Sequence, residues 1–143
     1  MGLNRDFQNI IFIDAIGFSM WPFVRQGQKL LIKKVSLKDL VIGDIILYRI
    51  NDQMVCHRLI RRSLDAKKSH LYVRGDNSPS APECITNEML LGKVVGILKN
   101  DTMIDLTKRR YRYINRAIVE LAPLLTLFKP LHGIIRKKVR DNK

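Results

Sequence analysis

The sequence predicts a mainly β domain over residues 1–106, followed by a basic amphipathic helical tail over residues 107–143. Three observations carry this expectation. Short β-branched and apolar runs recur through residues 8–98, each bounded by Gly, Pro, Asn or Asp. The hydrophobic period changes after Thr107, where Ile114, Ala117, Ile118, Leu121, Leu124 and Leu125 fall at helical spacing. The tail is also dense in Lys and Arg, within a chain of net charge +13.

Taken in order, residues 8–16 form a strand that runs into the turn Gly17-Phe18-Ser19-Met20-Trp21-Pro22. Gln26-Gly27-Gln28 is a turn, residues 29–33 are a strand, and residues 36–40 are a short polar connection. Val41-Ile42-Gly43-Asp44 reads as a turn, with Asp44 as its turn former, and residues 45–50 as a buried strand. Asn51-Asp52 signals a hairpin to a partner strand over residues 54–61. There Val55, His57 and Leu59 share one face, while Cys56, Arg58 and Ile60 share the other. Arg58 is expected as a structural or surface charge. A basic loop over residues 61–69 precedes a strand at 70–74, which ends in the turn cluster Gly75-Asp76-Asn77-Ser78-Pro79. Residues 89–98 are the last strand expected. In the tail, Pro123 and Pro130 are expected to bend or split the helix.

At 143 residues the chain suits one domain with an appendage, long enough to bury a core. A hydrophobic content of 46% excludes wholesale disorder. The charge favours an anionic partner, either nucleic acid or an acidic membrane surface. Cys56 and Cys84 are too few for a disulfide framework or a zinc site and read as free thiols. No metal and no cofactor is expected.

No secretory signal is expected at the start: Arg5 and Asp6 precede an apolar run that Asp14 breaks and that is too short to span a bilayer. In the tail, about ten apolar residues favour insertion by roughly 3–6 kcal/mol, and Lys129 and Glu120 oppose it by up to roughly 3 kcal/mol each. A transmembrane helix is therefore not expected. A location on the cytoplasmic side or peripheral to a membrane fits better, with residues 108–140 resting on an anionic surface. The alternative is a helix that packs its apolar stripe on the β domain or on a partner.

Ser19 sits on a turn that holds its hydroxyl out. A serine hydroxyl is a poor nucleophile at neutral pH and needs a base to take its proton. Imidazole suits that task, with an ordinary pKa of about 6.5. The base is in turn commonly held in one tautomer by a carboxylate. Of three histidines, His132 lies in the cationic tail, His70 opens a strand, and His57 is mid-strand beside the apolar core. Asp76 ends a strand in a turn, where it can reach a neighbouring strand. For Asp76 the alternative is a cap on its own turn; for His57 it is a core histidine bonded to a backbone carbonyl.

Five blocks occur in order: Gly17-Phe18-Ser19-Met20-Trp21-Pro22, Gly43-Asp44-Ile45-Ile46, His57-Arg58-Leu59-Ile60, Gly75-Asp76-Asn77 and Leu91-Gly92-Lys93-Val94-Val95. Together, over roughly residues 15–98, they resemble the signal peptidase superfamily. The base block reads His57-Arg58, which is similar to the His-using branch of endoplasmic-reticulum and archaeal signal peptidases. The resemblance implies a signal-peptidase or self-cleaving-repressor-like β-fold with the Ser turn beside the base strand. It implies Ser19 as nucleophile, His57 as general base, Asp76 as the third member, and the Ser19 amide in the oxyanion hole. Met20, Trp21 and Pro22 are then expected to bind substrate.

Three departures accompany it. Relatives often carry a Ser two residues before the nucleophile, where this chain has Gly17; a lost oxyanion donor costs on the order of 100-fold in rate. They often carry a further Asp about six residues after the Gly-Asp-Asn aspartate, where only Glu83 is available here. Membrane-embedded relatives also have a membrane helix just before the serine.

The expected function is that of a serine endopeptidase that cleaves a peptide, leader or signal segment through an acyl-enzyme. The substrate would be a peptide or protein presented in extended form along a strand edge. Small residues before the cleaved bond are implied by the resemblance alone. The alternative is a catalytically weak or inactive peptidase-fold binding module whose basic tail engages membrane lipid or nucleic acid. Nucleic acid is the less expected partner, because the related self-cleaving repressors bind DNA through a separate domain for which residues 1–16 leave no room.

Overall fold

The computed structural model describes residues 10–64 and 69–127. Eight strands come first: β1 (Ile10–Asp14), β2 (Lys29–Lys33), β3 (Ile45–Ile50), β4 (Gln53–Leu64), β5 (Ser69–Arg74), β6 (Glu83–Thr86), β7 (Leu90–Lys99) and β8 (Thr102–Asp105). Helix α1 (Arg109–Leu127) follows. All pairings are antiparallel, in the order β1-β2-β7-β3-β4-β5-β6, with β8 against β7. The fold is mainly β, as the sequence predicts.

Strand β3 explains why an unbroken apolar run can be a strand. Ile45, Ile46, Leu47 and Tyr48 are all buried because both faces of the sheet are covered. Ile45 and Leu47 join a core of Met20, Leu30, Ile32, Val94, Ile97 and Leu106. Ile46 and Tyr48 join a second core of Leu40, Leu59, Leu71, Val73 and Ile85 on the other side. Each such aliphatic side chain contributes about 1.5–3 kcal/mol on full burial.

The β3–β4 hairpin closes through Asn51 and Asp52, whose φ angles of 47° and 58° are those of a primed two-residue turn. Asn100 and Asp101 repeat it at 46° and 61° between β7 and β8. Strands β6 and β8 are not among those the sequence predicts, although the second Asn-Asp is the same hairpin signal as the first. The polar connection contains a 3-10 turn at Leu37–Asp39.

The tail differs from expectation in two ways. The helix begins at Arg109 and continues through Pro123 without splitting. It also docks on the β domain with a different face from the predicted stripe. Tyr111 packs against the first core, Asn115 is buried, and the Asn115 backbone lies only 2.9 Å from where a Cβ on Gly43 would stand. Ile114, Leu121 and Leu124 stay exposed at 43%, 50% and 55%. Among the described residues, no helix is long and apolar enough to cross a membrane. Pro130, His132 and the basic residues after them, like Arg5 and Asp6, lie outside the described residues.

Candidate active site

The serine turn follows β1 and is fixed from across the sheet. The Asn77 amide donates to the Ser19 carbonyl at 2.7 Å, and Asn77 Nδ2 donates to the Phe18 carbonyl at 3.3 Å. The Gly75-Asp76-Asn77 turn at the end of β5 thus grips the backbone of Ser19. Gly75 is required by contact. A Cβ there would lie 2.7 Å from the Ser19 carbonyl oxygen, 3.0 Å from Ser19 Cβ and 3.2 Å from His57 Nε2. Ser19 and the outer nitrogen of His57 therefore converge on one point, from a turn and from β4.

His57 is buried on the β4 face that also carries Leu59. Its inner nitrogen, Nδ1, is 2.9 Å from the Tyr48 hydroxyl, which donates to Glu83 Oε2 at 2.5 Å. Burial lowers the His57 pKa from its ordinary 6.5, and the charges of Glu83 and Asp76 partly offset that. The imidazole is accordingly a neutral base at pH 7.

Asp76 does not occupy the place expected of it. Its carboxylate is held by Arg58, which donates through Nε at 2.7 Å and through Nη2 at 2.6 Å. Arg58 also donates through Nη1 to the Gly43 carbonyl at 2.8 Å and to Asn115 Oδ1 at 2.9 Å, and its guanidinium lies 4.9 Å from the centre of the Phe23 ring. It points to the face opposite His57, as the strand alternation predicts, and at 1% exposure it is one of the most buried residues of the protein. Such a cation needs a full set of acceptors, and Asp76 is the charged one. Asp76 reaches His57 through space only. The carboxylate in hydrogen-bonded line with His57 is Glu83, and Tyr48 is the link. Sequence reasoning named Glu83 but missed Tyr48; its signal is the parity that puts residues 46 and 48 of β3 on the His57 face.

A cavity of about 230 Å3 opens beside Ser19. Its walls include Ala15, Gly17, Leu30, Leu47 and Cys56, and its floor includes the buried Met20. Burial pushes the Cys56 thiol up to about 12, so it is a neutral, apolar wall. Of the three residues expected to bind substrate, Met20 lines this cavity. Trp21 and Pro22 are exposed and stand outside its walls. Ile16, Phe18 and Met54 are exposed around the serine at 89%, 65% and 56%.

Gly17 has a φ of +86°, with open space where its side chain would be. A Ser there would meet backbone strain rather than a clash.

Asp44 behaves as a turn former, accepting from the Val41 amide at 2.9 Å, and also pairs with Lys93 at 2.8 Å. His70 lies 3.6 Å from Cys84 Sγ on the neighbouring strand, away from Ser19. Cys56 and Cys84 are free thiols. Among the described residues no cluster of His, Cys, Asp and Glu could hold a metal ion.

No protein-family model matches the sequence, and neither a curated protein nor a solved structure matches the chain.

Proposed function

We propose that the protein is a serine endopeptidase of the signal-peptidase type, with Ser19 as nucleophile and His57 as general base. The observation that carries this is the convergence of Ser19 and His57 Nε2 on the Gly75 position. His57 would take the hydroxyl proton as Ser19 Oγ attacks a peptide carbonyl. The oxyanion would be met by the Ser19 amide, and the imidazolium would return its proton to the leaving amine. Water then releases the acyl group with His57 again as base.

The cavity supports a substrate whose residue beside the scissile bond is apolar, since Leu30, Leu47, Met20 and the neutral Cys56 line it. Strand β1 pairs with β2 alone among the described strands, which leaves an edge beside the serine for an extended peptide. The exposed Ile16 and Phe18 would flank it.

For the tail, the proposed partner is an anionic membrane surface. Ile114, Leu121 and Leu124 remain exposed on one side of α1, with Arg109, Arg110, Arg112 and Arg116 also exposed on the helix. Reduced sedimentation of an Ile114→Asp/Leu121→Asp variant with anionic vesicles is expected; unchanged binding would remove that partner.

A fluorophosphonate probe tests the enzyme. Wild type is expected to be labelled, with the label lost in Ser19→Ala and strongly reduced in His57→Ala. Labelling that persists in Ser19→Ala, or an unlabelled wild type, would leave the protein as a binding module.

A further inference from the structure

We propose that Tyr48 is a positioning residue that, held by Glu83, fixes the His57 tautomer with the proton on Nδ1 and the lone pair of Nε2 toward Ser19. The inference rests on the peptidase assignment for its catalytic meaning, but the tautomer itself can be observed without any activity.

The direction of the hydrogen bonds follows from what each group can do. A carboxylate only accepts, so the Tyr48 proton goes to Glu83 Oε2, at 2.5 Å. The phenol oxygen is then left with lone pairs and no second proton. Its contact with His57 Nδ1 at 2.9 Å must therefore be a bond in which Nδ1–H donates. A neutral imidazole has one proton; with it on Nδ1, Nε2 is bare and faces the site shared with Ser19 Cβ and Gly75. Burial, reinforced by the bond to Glu83 and by its charge, holds the Tyr48 phenol far above its ordinary value, so the hydroxyl keeps its proton.

The register of the sheet makes the relay rigid. Ile46 lies opposite His57 and Tyr48 opposite Val55, so Tyr48 is the diagonal neighbour of His57 on the buried stretch Ile45–Tyr48 of β3. Glu83 comes from β6, two strands beyond β4. The relay thus does for His57 what a directly bonded carboxylate does in a Ser-His-Asp site, through one extra hydroxyl. As Ser19 Oγ gives its proton to Nε2, the imidazolium that forms keeps its Nδ1–H bond to Tyr48, whose oxygen is polarised by Glu83.

Nitrogen NMR of His57 in the full chain at neutral pH tests this, alongside the fluorophosphonate labelling rate. Wild type is expected to show Nδ1–H with bare Nε2. Tyr48→Phe keeps the ring and removes the acceptor; the Nε2–H form should appear, and labelling should slow by about 10²-fold, less than the roughly 10⁴-fold of a triad locked in the wrong tautomer. Glu83→Ala, on an exposed residue outside both cores, frees the Tyr48 proton to turn toward Nδ1 and should produce the same change of tautomer. Glu83→Gln keeps an acceptor for Tyr48 and should retain Nδ1–H. A wild type with Nε2–H, or a tautomer unmoved by both Tyr48→Phe and Glu83→Ala, would overturn the relay even if Ser19 is labelled. The expected tautomers in a wild type that no serine probe labels would support the relay and overturn the peptidase.

Discussion

A single methyl group placed at Gly75 is the most direct perturbation of the proposed chemistry. The new Cβ would stand 2.7 Å from the Ser19 carbonyl oxygen, 3.0 Å from Ser19 Cβ and 3.2 Å from His57 Nε2. Reaching the 3.4 Å of ordinary contact requires the Ser19 carbonyl to retreat by about 0.7 Å. That carbonyl is bonded to the Asn77 amide two residues along the same turn, so the serine and the turn cannot separate without losing this bond. Displacements near 1 Å in a reacting group cost about 100-fold in rate. Overpacking a buried position costs about 1–3 kcal/mol in stability. Gly75→Ala is thus expected to remain folded with a lowered melting temperature, and to react with a fluorophosphonate about two orders of magnitude more slowly. The assay is the second-order labelling rate, with His57→Ala as the reference for a site without its base. Labelling of Gly75→Ala at the wild-type rate would refute the convergence of Ser19 and His57 on this point.

Three further outcomes follow from the same geometry. Asp76→Asn leaves the buried Arg58 cation without its charged partner and should destabilise the fold by about 3–5 kcal/mol in denaturant titration; a change within error would show that the pair is dispensable. Gly17→Ser puts a side chain at a φ of +86° and should lower stability by roughly 1–2 kcal/mol without faster labelling, whereas a rate gain would show that the serine can serve as a donor there. Labelling requires neutral His57, whose pKa burial places below 6.5, so the rate should fall on acidification with its midpoint below 6.5. Stability should weaken in the same direction: below about 6.5 the unfolded chain takes up this proton more readily than the folded one, through the folded pKa. A midpoint above 6.5 would contradict the burial.

Most strands were legible because local patterning and turn chemistry agree at them. The apolar run of β3, the Asn51-Asp52 hairpin and the alternation around His57 each point to one geometry. Strands β6 and β8 are four residues each, too short to show a period, and only Asn100-Asp101 marks one of them. The site divides the same way. Ser19, His57 and the Gly75-Asp76-Asn77 turn carry a local signature. The bond between Tyr48 and Glu83 joins residues 35 apart in sequence, and nothing local specifies it. Asp76 shows the opposite failure: motif order points it at His57, and the electrostatic demand of a buried Arg58 claims it. In α1, helical spacing found the apolar stripe, but Tyr111 and Asn115 on another face dock the helix, where Arg58 donates to Asn115 Oδ1.

Arg58 also couples the helix to the serine turn. Its guanidinium holds Asp76 in the turn that grips Ser19 and, through Nη1, Asn115 on α1. Lifting α1 removes one acceptor from a buried cation, a bond of the class that contributes about 1.5–3 kcal/mol. By reciprocity, whatever draws the helix off the sheet loosens the turn that carries Ser19, and whatever steadies that turn tightens the helix. A surface that captured α1 would loosen the serine turn, and one that pressed it home would firm it.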